Sequence, residues 1–473
     1  MEKKDIKQKI ENVIDKCSDP DIYSNIVYDF FVKGIEKPGD YLDSLDILPK
    51  LTEKQLITNF KKNKEKLCDF INQDKIENIG LYQILSCIFG AFVGDAIGGF
   101  CEFLKSSKSN ANKIFKGVPV FGQLPGQITD DSEMAMCLAF ALMENPEKDK
   151  IDHNYIYFYY GAWANSNPID IGNTTKKAFK DFNFKDFSPK RNNFRVIKKG
   201  VVEDNNNSLS NGFLMRKTTL IAWIYYRFYG IINKAFADDN NDNTDLIKLY
   251  EKAKEISNID NMTSHPNPET GAASAFYIIM ALGAIKKLPP SKIIDILFNL
   301  CNDKYFKQND NKDLKLANNI IFYIEKFKNK KFDFWSYFGE KNSYDSVNKN
   351  MGWYEHAFKL TLYYLVKFDQ YEKKNLFSNI LKEICNLGGD TDTNACIVGG
   401  VIGPLIGYKD FGDYFKKVLD VIPQDRYMFS ICLMAEYVLY LNNTKRNIIS
   451  NNCYFIRTIL TLLYDDIDID LEI

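Results

Sequence analysis

Apolar residues recur at helical spacing through most of this chain. The run at 81–89 begins a mostly apolar helix that takes on small residues at Gly90, Ala91 and Gly94. Segments 134–143, 213–229, 272–285, 293–301, 357–368 and 376–387 repeat the period. Strand-like alternation is rare, and the Asn211-Gly212 pair precedes a helical segment rather than joining two alternating runs. The pattern predicts an all-α protein. Polar stretches at 105–113, 203–210, 238–245 and 302–313 mark loops, and 335–350 is a longer aromatic and polar connection. Residues 1–78 show helical periods but none of the glycine-rich motifs that follow, so they read as a helical extension packed on a main domain at 79–473. Within that domain, 428–463 reads as terminal helices before an acidic tail at 465–472.

Composition narrows this picture. With 45% hydrophobic and 26% charged residues, a chain of 473 residues can bury a sizeable core. A net charge of −1 gives no electrostatic ground for binding nucleic acid or an anionic membrane. Ten cysteines form no CxxC pair, and Cys87, Cys101, Cys137, Cys385 and Cys396 sit in apolar stretches, as buried thiols do. The N-terminus is of mixed charge. Of the two longest apolar runs, 395–408 is too short to span a bilayer and 84–100 carries Asp95 in its middle. These features lead us to expect a cytoplasmic monomer with no nucleic-acid or membrane partner.

Two short acidic clusters carry the chemistry. One is Thr129-Asp130-Asp131, after Pro125-Gly126; the other is Asp390-Thr391-Asp392-Thr393, after Gly388-Gly389. Each precedes an apolar helical run, so each can cap a helix. A cap needs one acid. Carboxylates packed this tightly repel one another unless a cation sits among them, and hard oxygen donors suit Mg²⁺, Mn²⁺ or Ca²⁺. Taken together the clusters favour metal. Asp95 and Glu102 lie seven apart, which a continuous helix would bring to one face; the alternative is a helix end with Glu102 in solvent. At Ser210-Asn211-Gly212, a helix start offers amides to a phosphate, or is an ordinary cap. His265, one of three histidines, lies in a loop before a small-residue helix, and Trp353 can stack on a base or simply pack.

In this order the pieces GDAIGGFCE, GQITDDSEM, SNGFLMR, the His265 loop and GGDTDTNACIVGGVIG resemble the ADP-ribosylglycohydrolase family, over roughly residues 80–410. The resemblance implies an all-helical domain with two Mg²⁺ or Mn²⁺ at the floor of an ADP-ribose cleft. The implied metal ligands are Thr129, Asp130, Asp131, Asp390, Asp392 and Thr393, with Asp392 bridging. Glu102 matches a glutamate at the metals, and Asp95 would support that site. Ser210, Asn211 and Gly212 match the stretch that holds the diphosphate, His265 a substrate contact, and Trp353 the adenosine end. The implied reaction is hydrolysis at C1″ of an ADP-ribosylated protein or small conjugate, with Glu102, Asp131 and Asp392 as the catalytic carboxylates. Two other readings use the same residues: a silent ADP-ribose-binding module, and a metal-dependent phosphohydrolase. The linkage cleaved is left open.

Overall fold

A computed structural model describes residues 79–144, 150–183, 201–237, 243–308 and 313–420, with parts of 12–28 and positions 434, 437, 438 and 441. Among the described residues every regular element is helical, and the sole extended pairing is an isolated bridge between Ser210 and Trp353. The longer helices are α1 (Pro20–Tyr28), α2 (Ile79–Gly98), α3 (Asp130–Glu144), α4 (His153–Ala164), α5 (Lys217–Arg227), α6 (Thr244–Asn261), α7 (Pro268–Ile285), α8 (Pro290–Asn302), α9 (Leu314–Lys328), α10 (Tyr354–Lys367), α11 (Leu376–Leu387), α12 (Thr391–Ile406) and α13 (Asp413–Asp420).

The centre of the fold is the antiparallel pair α2 and α12. Gly90, Gly94 and Gly98 recur every four residues on α2, so they line one face. Ala395, Gly399 and Gly403 do the same on α12. The two stripes meet backbone to backbone: a Cβ on Gly94 would lie 2.5 Å from the Ala395 carbonyl carbon, and one on Gly399 2.7 Å from that of Gly90. Real Cβ atoms do not come so close, so glycine is what permits this approach. The register runs end to end. Gln83 Nε2 donates to the Pro404 carbonyl at 2.8 Å, and Thr391 Oγ1 to the Gly98 carbonyl at 2.6 Å. The C-terminal end of α2 is thereby fixed on the N-terminal end of α12.

Helices α7, α10 and α11 pack around α12, while α3 packs on α4 and α6 on α7. Gly80–Gly98 and Pro268–Ile285 are long and apolar enough to cross a membrane, yet each is 89% buried inside the molecule, as core helices are. Cys87, Cys101, Cys137, Cys385 and Cys396 are buried free thiols. In the extension, Tyr23 of α1 is buried against α4, its hydroxyl 2.6 Å from that of Tyr159. Most of 1–78, most of the terminal helices expected at 428–463 and the tail expected at 465–472 lie outside the described residues, although Met434, Tyr437, Val438 and Leu441 are helical and buried.

Five local expectations change, and the loops expected at 105–113 and 302–313 hold a 3₁₀ turn at Asn110–Lys113 and a helical turn at Lys304–Lys307. The helix expected over 213–229 is a short 3₁₀ turn, Asn211–Phe213, followed by α5 from Lys217. The 203–210 loop is helical through 205, and the 335–350 connection opens with a π turn at Trp335–Gly339.

Candidate active site

The two acidic clusters meet. α2 stops at Gly98, and a turn of Cys101 N–H onto the Gly98 carbonyl carries the chain to Glu102. Asp95 and Glu102 therefore do not share a helical face. Glu102 does not reach solvent either; it is 3% exposed. The turn is pinned to the second cluster, for Phe103 N–H donates to the Gly389 carbonyl at 2.7 Å and Gly389 N–H to the Leu104 carbonyl at 2.9 Å. Gly388 and Gly389 both have positive φ, +70° and +76°, and side chains there would run into the Leu104 and Val347 carbonyls. That double-glycine turn aims Asp390 and Asp392 at Glu102.

Asp95, expected to support the site, lies under it rather than in reach of a substrate. It is fully buried beneath the site, and its carboxylate accepts from four donors: Thr129 N–H at 3.0 Å, Thr129 Oγ1 at 2.6 Å, Ser132 N–H at 3.1 Å and Ser132 Oγ at 2.5 Å. It caps the start of α3 from a neighbouring helix. Asp130 and Asp131 then occupy the first turn of α3, both buried.

Carboxylate oxygens of Glu102, Asp392 and Asp170 lie within 4.8 Å of one another. Asp170 was not anticipated. It stands alone in Pro168-Ile169-Asp170-Ile171-Gly172, bonds to Asp130, and belongs to no acidic run. A lone acid between isoleucines in a loop bounded by proline and glycine is the faint signal it leaves.

The electrostatics are those of crowded acids in a dry place. Burial, then Asp390 and Asp170, push Glu102 up to about 9. Burial and Asp390 push Asp170 up to about 6. Asp130, Asp131 and Asp392 are raised well above the carboxylate range, by burial first and then by one another and their neighbours. Glu102 Oε2, Asp131 Oδ1 and Asp392 Oδ1 are buried with no hydrogen-bond partner. Orphaned, mutually repelling oxygens of this kind fit divalent cations of the Mg²⁺ class as donors.

A second wall rises beside the acids. Asn211 Nδ2 donates to Asp390 Oδ2 at 2.8 Å, and Asn211 N–H to the Gly352 carbonyl at 2.8 Å. The Asn211 amide is thus not a free helix-start donor, as an anion site at that residue would need. Trp353, half-buried, begins α10 directly behind Gly352 and bridges to Ser210. A Cβ on Gly212 would sit 3.1 Å from the His265 ring, which shows how closely the two approach. His265 is buried, with Ser210 Oγ 2.9 Å from Nε2 and Ser264 Oγ 2.9 Å from Nδ1. Burial, then the charge on Arg216, hold it well below the usual histidine range, so it is neutral. Behind it Arg216 donates to Ser264 Oγ at 2.9 Å and pairs with Asp260, which also takes Lys217 and Tyr160. Thr393 is buried in the first turn of α12 beside Asp392.

The sequence profile described as ADP-ribosylglycohydrolase matches residues 80–436, well over half the chain. An ADP-ribosyl glycohydrolase of Acanthamoeba polyphaga mimivirus is 29% identical over 72% of this chain and 92% of its own length. The ADP-ribosyl-[dinitrogen reductase] glycohydrolase of Rhodospirillum rubrum is 33% identical over 21% of this chain and 34% of its own. An ADP-ribosylarginine hydrolase of Serratia proteamaculans is 34% identical over 22% of this chain and 30% of its own. With an all-helical fold, a buried carboxylate site and a profile match of this extent, the chain belongs to the ADP-ribosylglycohydrolase family and is a hydrolase.

Proposed function

We propose that this hydrolase cleaves the C1″ glycosidic bond of ADP-ribose attached to a protein side chain or small conjugate, releasing ADP-ribose. The reading rests on one observation: Glu102, Asp170 and Asp392, from three distant segments, converge, and Glu102, Asp392 and the neighbouring Asp131 each keep a buried oxygen without a partner. Thr129, Asp130, Asp131, Asp390, Asp392 and Thr393 would hold two Mg²⁺ or Mn²⁺. Such ions lower the pKa of a bound water and hold sugar hydroxyls in place. The chain's own carboxyls supply proton transfer. Without a cation, burial and acidic neighbours raise Glu102 to about 9 and Asp170 to about 6, so of the two Glu102 holds a proton more tightly and Asp170 gives one up more readily. A donor beside an acceptor is what general acid–base cleavage of a glycoside requires. The Asn211, His265 and Trp353 wall lies beside the acids, where the diphosphate and adenosine would run.

The test is turnover of ADP-ribosyl-arginine and ADP-ribosyl-serine conjugates with Mg²⁺ or Mn²⁺, read by mass spectrometry. Intact ADP-ribose is the expected product. A phosphate monoester would mean a phosphohydrolase, and tight ADP-ribose binding without release from any conjugate would mean a binding module. Asp392→Asn should abolish turnover and weaken metal binding with the helical circular dichroism unchanged; near-normal turnover would remove Asp392 from the mechanism.

A further inference from the structure

Between Glu102 and the first acidic cluster, residues 103–128 hold Lys105, Lys108, Lys113 and Lys116 and no acidic residue, in a chain of net charge −1. All four lysines are exposed, and none is ion-paired among the described residues. The same stretch carries large apolar side chains out into solvent. Val118 is 96% exposed, Val120 56%, Phe103 49% and Leu124 42%. Phe103 stands next to Glu102 with φ +56°, a conformation rare for a bulky residue, and its ring meets that of Phe121 at 6.2 Å. One rim, apolar and basic, thus borders a floor that is strongly acidic.

The rim is fastened to the site. Gln123 is buried with its side chain against Gly99 and close to the Thr129 methyl, and neither end of its amide has a partner. Ser106 Oγ donates to the Leu387 carbonyl at 2.6 Å, and Ser107 N–H to that of Asn386 at 2.8 Å, just before the double-glycine turn. The rim's start is thus tied to the second cluster and its end packs beside the first, which lowers the ordering needed on binding.

We propose that this rim docks the polypeptide that carries the ADP-ribose and favours modified residues flanked by acidic and aliphatic side chains. The inference rests on the function proposed above. Exposed valine and leucine side chains gain nothing from a phosphate but do from aliphatic neighbours of the modified residue. Lys105, Lys113 and Lys116, with Lys108 over the Trp335 ring, add attraction for carboxylates and raise the rate of encounter. The rim begins at Phe103, directly after Glu102, so it starts beside the group that would leave C1″ in the proposed reaction.

The test uses the full chain and three substrates sharing one linkage. These are the free ADP-ribosylated amino acid, a peptide flanked by Asp, Glu and Leu, and a peptide flanked by Lys and Gly. The intact chain should favour the acidic peptide by about tenfold in kcat/KM. Val118→Asp with Val120→Asp, and separately Lys113→Glu with Lys116→Glu, should abolish that preference while the free conjugate is turned over within about twofold of normal. Equal rates on both peptides, or a preference that survives both double variants, would overturn the docking role and leave the site reading intact. Preference for an ADP-ribosylated oligonucleotide over either peptide would overturn it as well. Failure to turn over the free conjugate would instead remove the site reading, and this inference with it.

Discussion

A carboxylate's role here is set by what else claims its oxygens. Asp95 has four donors and is a brace; Asp392 and Glu102 each keep a buried oxygen without a partner and are free to act on a ligand. Asp170 brings an oxygen within 4.8 Å of both, although it also bonds to Asp130 and the Ile171 N–H. Asp170→Asn should therefore lower turnover and metal affinity by about 10–100-fold, measured by steady-state kinetics and calorimetric titration of Mg²⁺. An unchanged affinity and rate would leave Asp170 without a part in metal binding or turnover. The acids at 129–131 and 390–393 were legible because a run of acids beside glycine exceeds what capping needs. Asp170 was not, since one acid in a loop looks like any other until the fold delivers it. Asp260 was equally silent in sequence, yet it is buried beneath Arg216 and Lys217. Asp260→Asn strands two buried cations and should cost about 3–5 kcal/mol in urea denaturation, far beyond a surface substitution. A loss below about 1 kcal/mol would show that the network behind His265 is not needed for stability.

At the scale of elements, the site exists because two helices touch through glycine. The period and the small residues at Gly90, Ala91 and Gly94 can be read from sequence, and so can the glycines after Ala395. What sequence cannot state is that these stripes face each other in an antiparallel register that puts Gly98 against Asp392. That is a pairing of segments some 300 residues apart, and local pattern has no access to it. The same limit explains the misplaced start of α5 and the broken Asp95–Glu102 face, where tertiary packing ends one helix early and starts another late. Gly94→Ala makes the seam testable. Its new Cβ would meet backbone atoms of Ala395 and Cys396, which cannot swing aside. Stability should fall by about 2–4 kcal/mol, with turnover lost as Glu102 separates from Asp392. Gly230→Ala is the matched control, since nothing lies within 4 Å of its added Cβ inside the short helix Tyr229–Ala235. It should gain about 0.5–1 kcal/mol from helix propensity. Equal thermal shifts in the two variants would deny the seam any special role.

For the whole molecule, the site should make stability depend jointly on pH and divalent cation. The overall charge of −1 is too small for general repulsion to set a pH trend, so the buried acids stand out. Their folded values lie above the unfolded carboxylate value of about 4. A group of this kind prefers its proton when folded, so its contribution is fully present below about pH 4 and is lost as pH rises through its folded value. Asp170 loses its share through about 6 and Glu102 through about 9, while Asp130, Asp131 and Asp392 shift in the same direction. With chelator present, the melting temperature should consequently drop between pH 6 and pH 9. Divalent cations replace the missing protons, and binding that needs ionised ligands strengthens as pH rises. At about 100 times Kd, Mg²⁺ or Mn²⁺ should restore about 2.7 kcal/mol for each ion bound, or about 3 °C per ion for a domain this large, at pH 8. At pH 5 protons hold the same oxygens, and the cation effect should nearly vanish. Differential scanning fluorimetry over pH 5–9, with EDTA or Mg²⁺, reads both arms in one experiment. A melting temperature indifferent to the cation at every pH would mean the orphaned oxygens are satisfied some other way, and the metal reading of the site would fall.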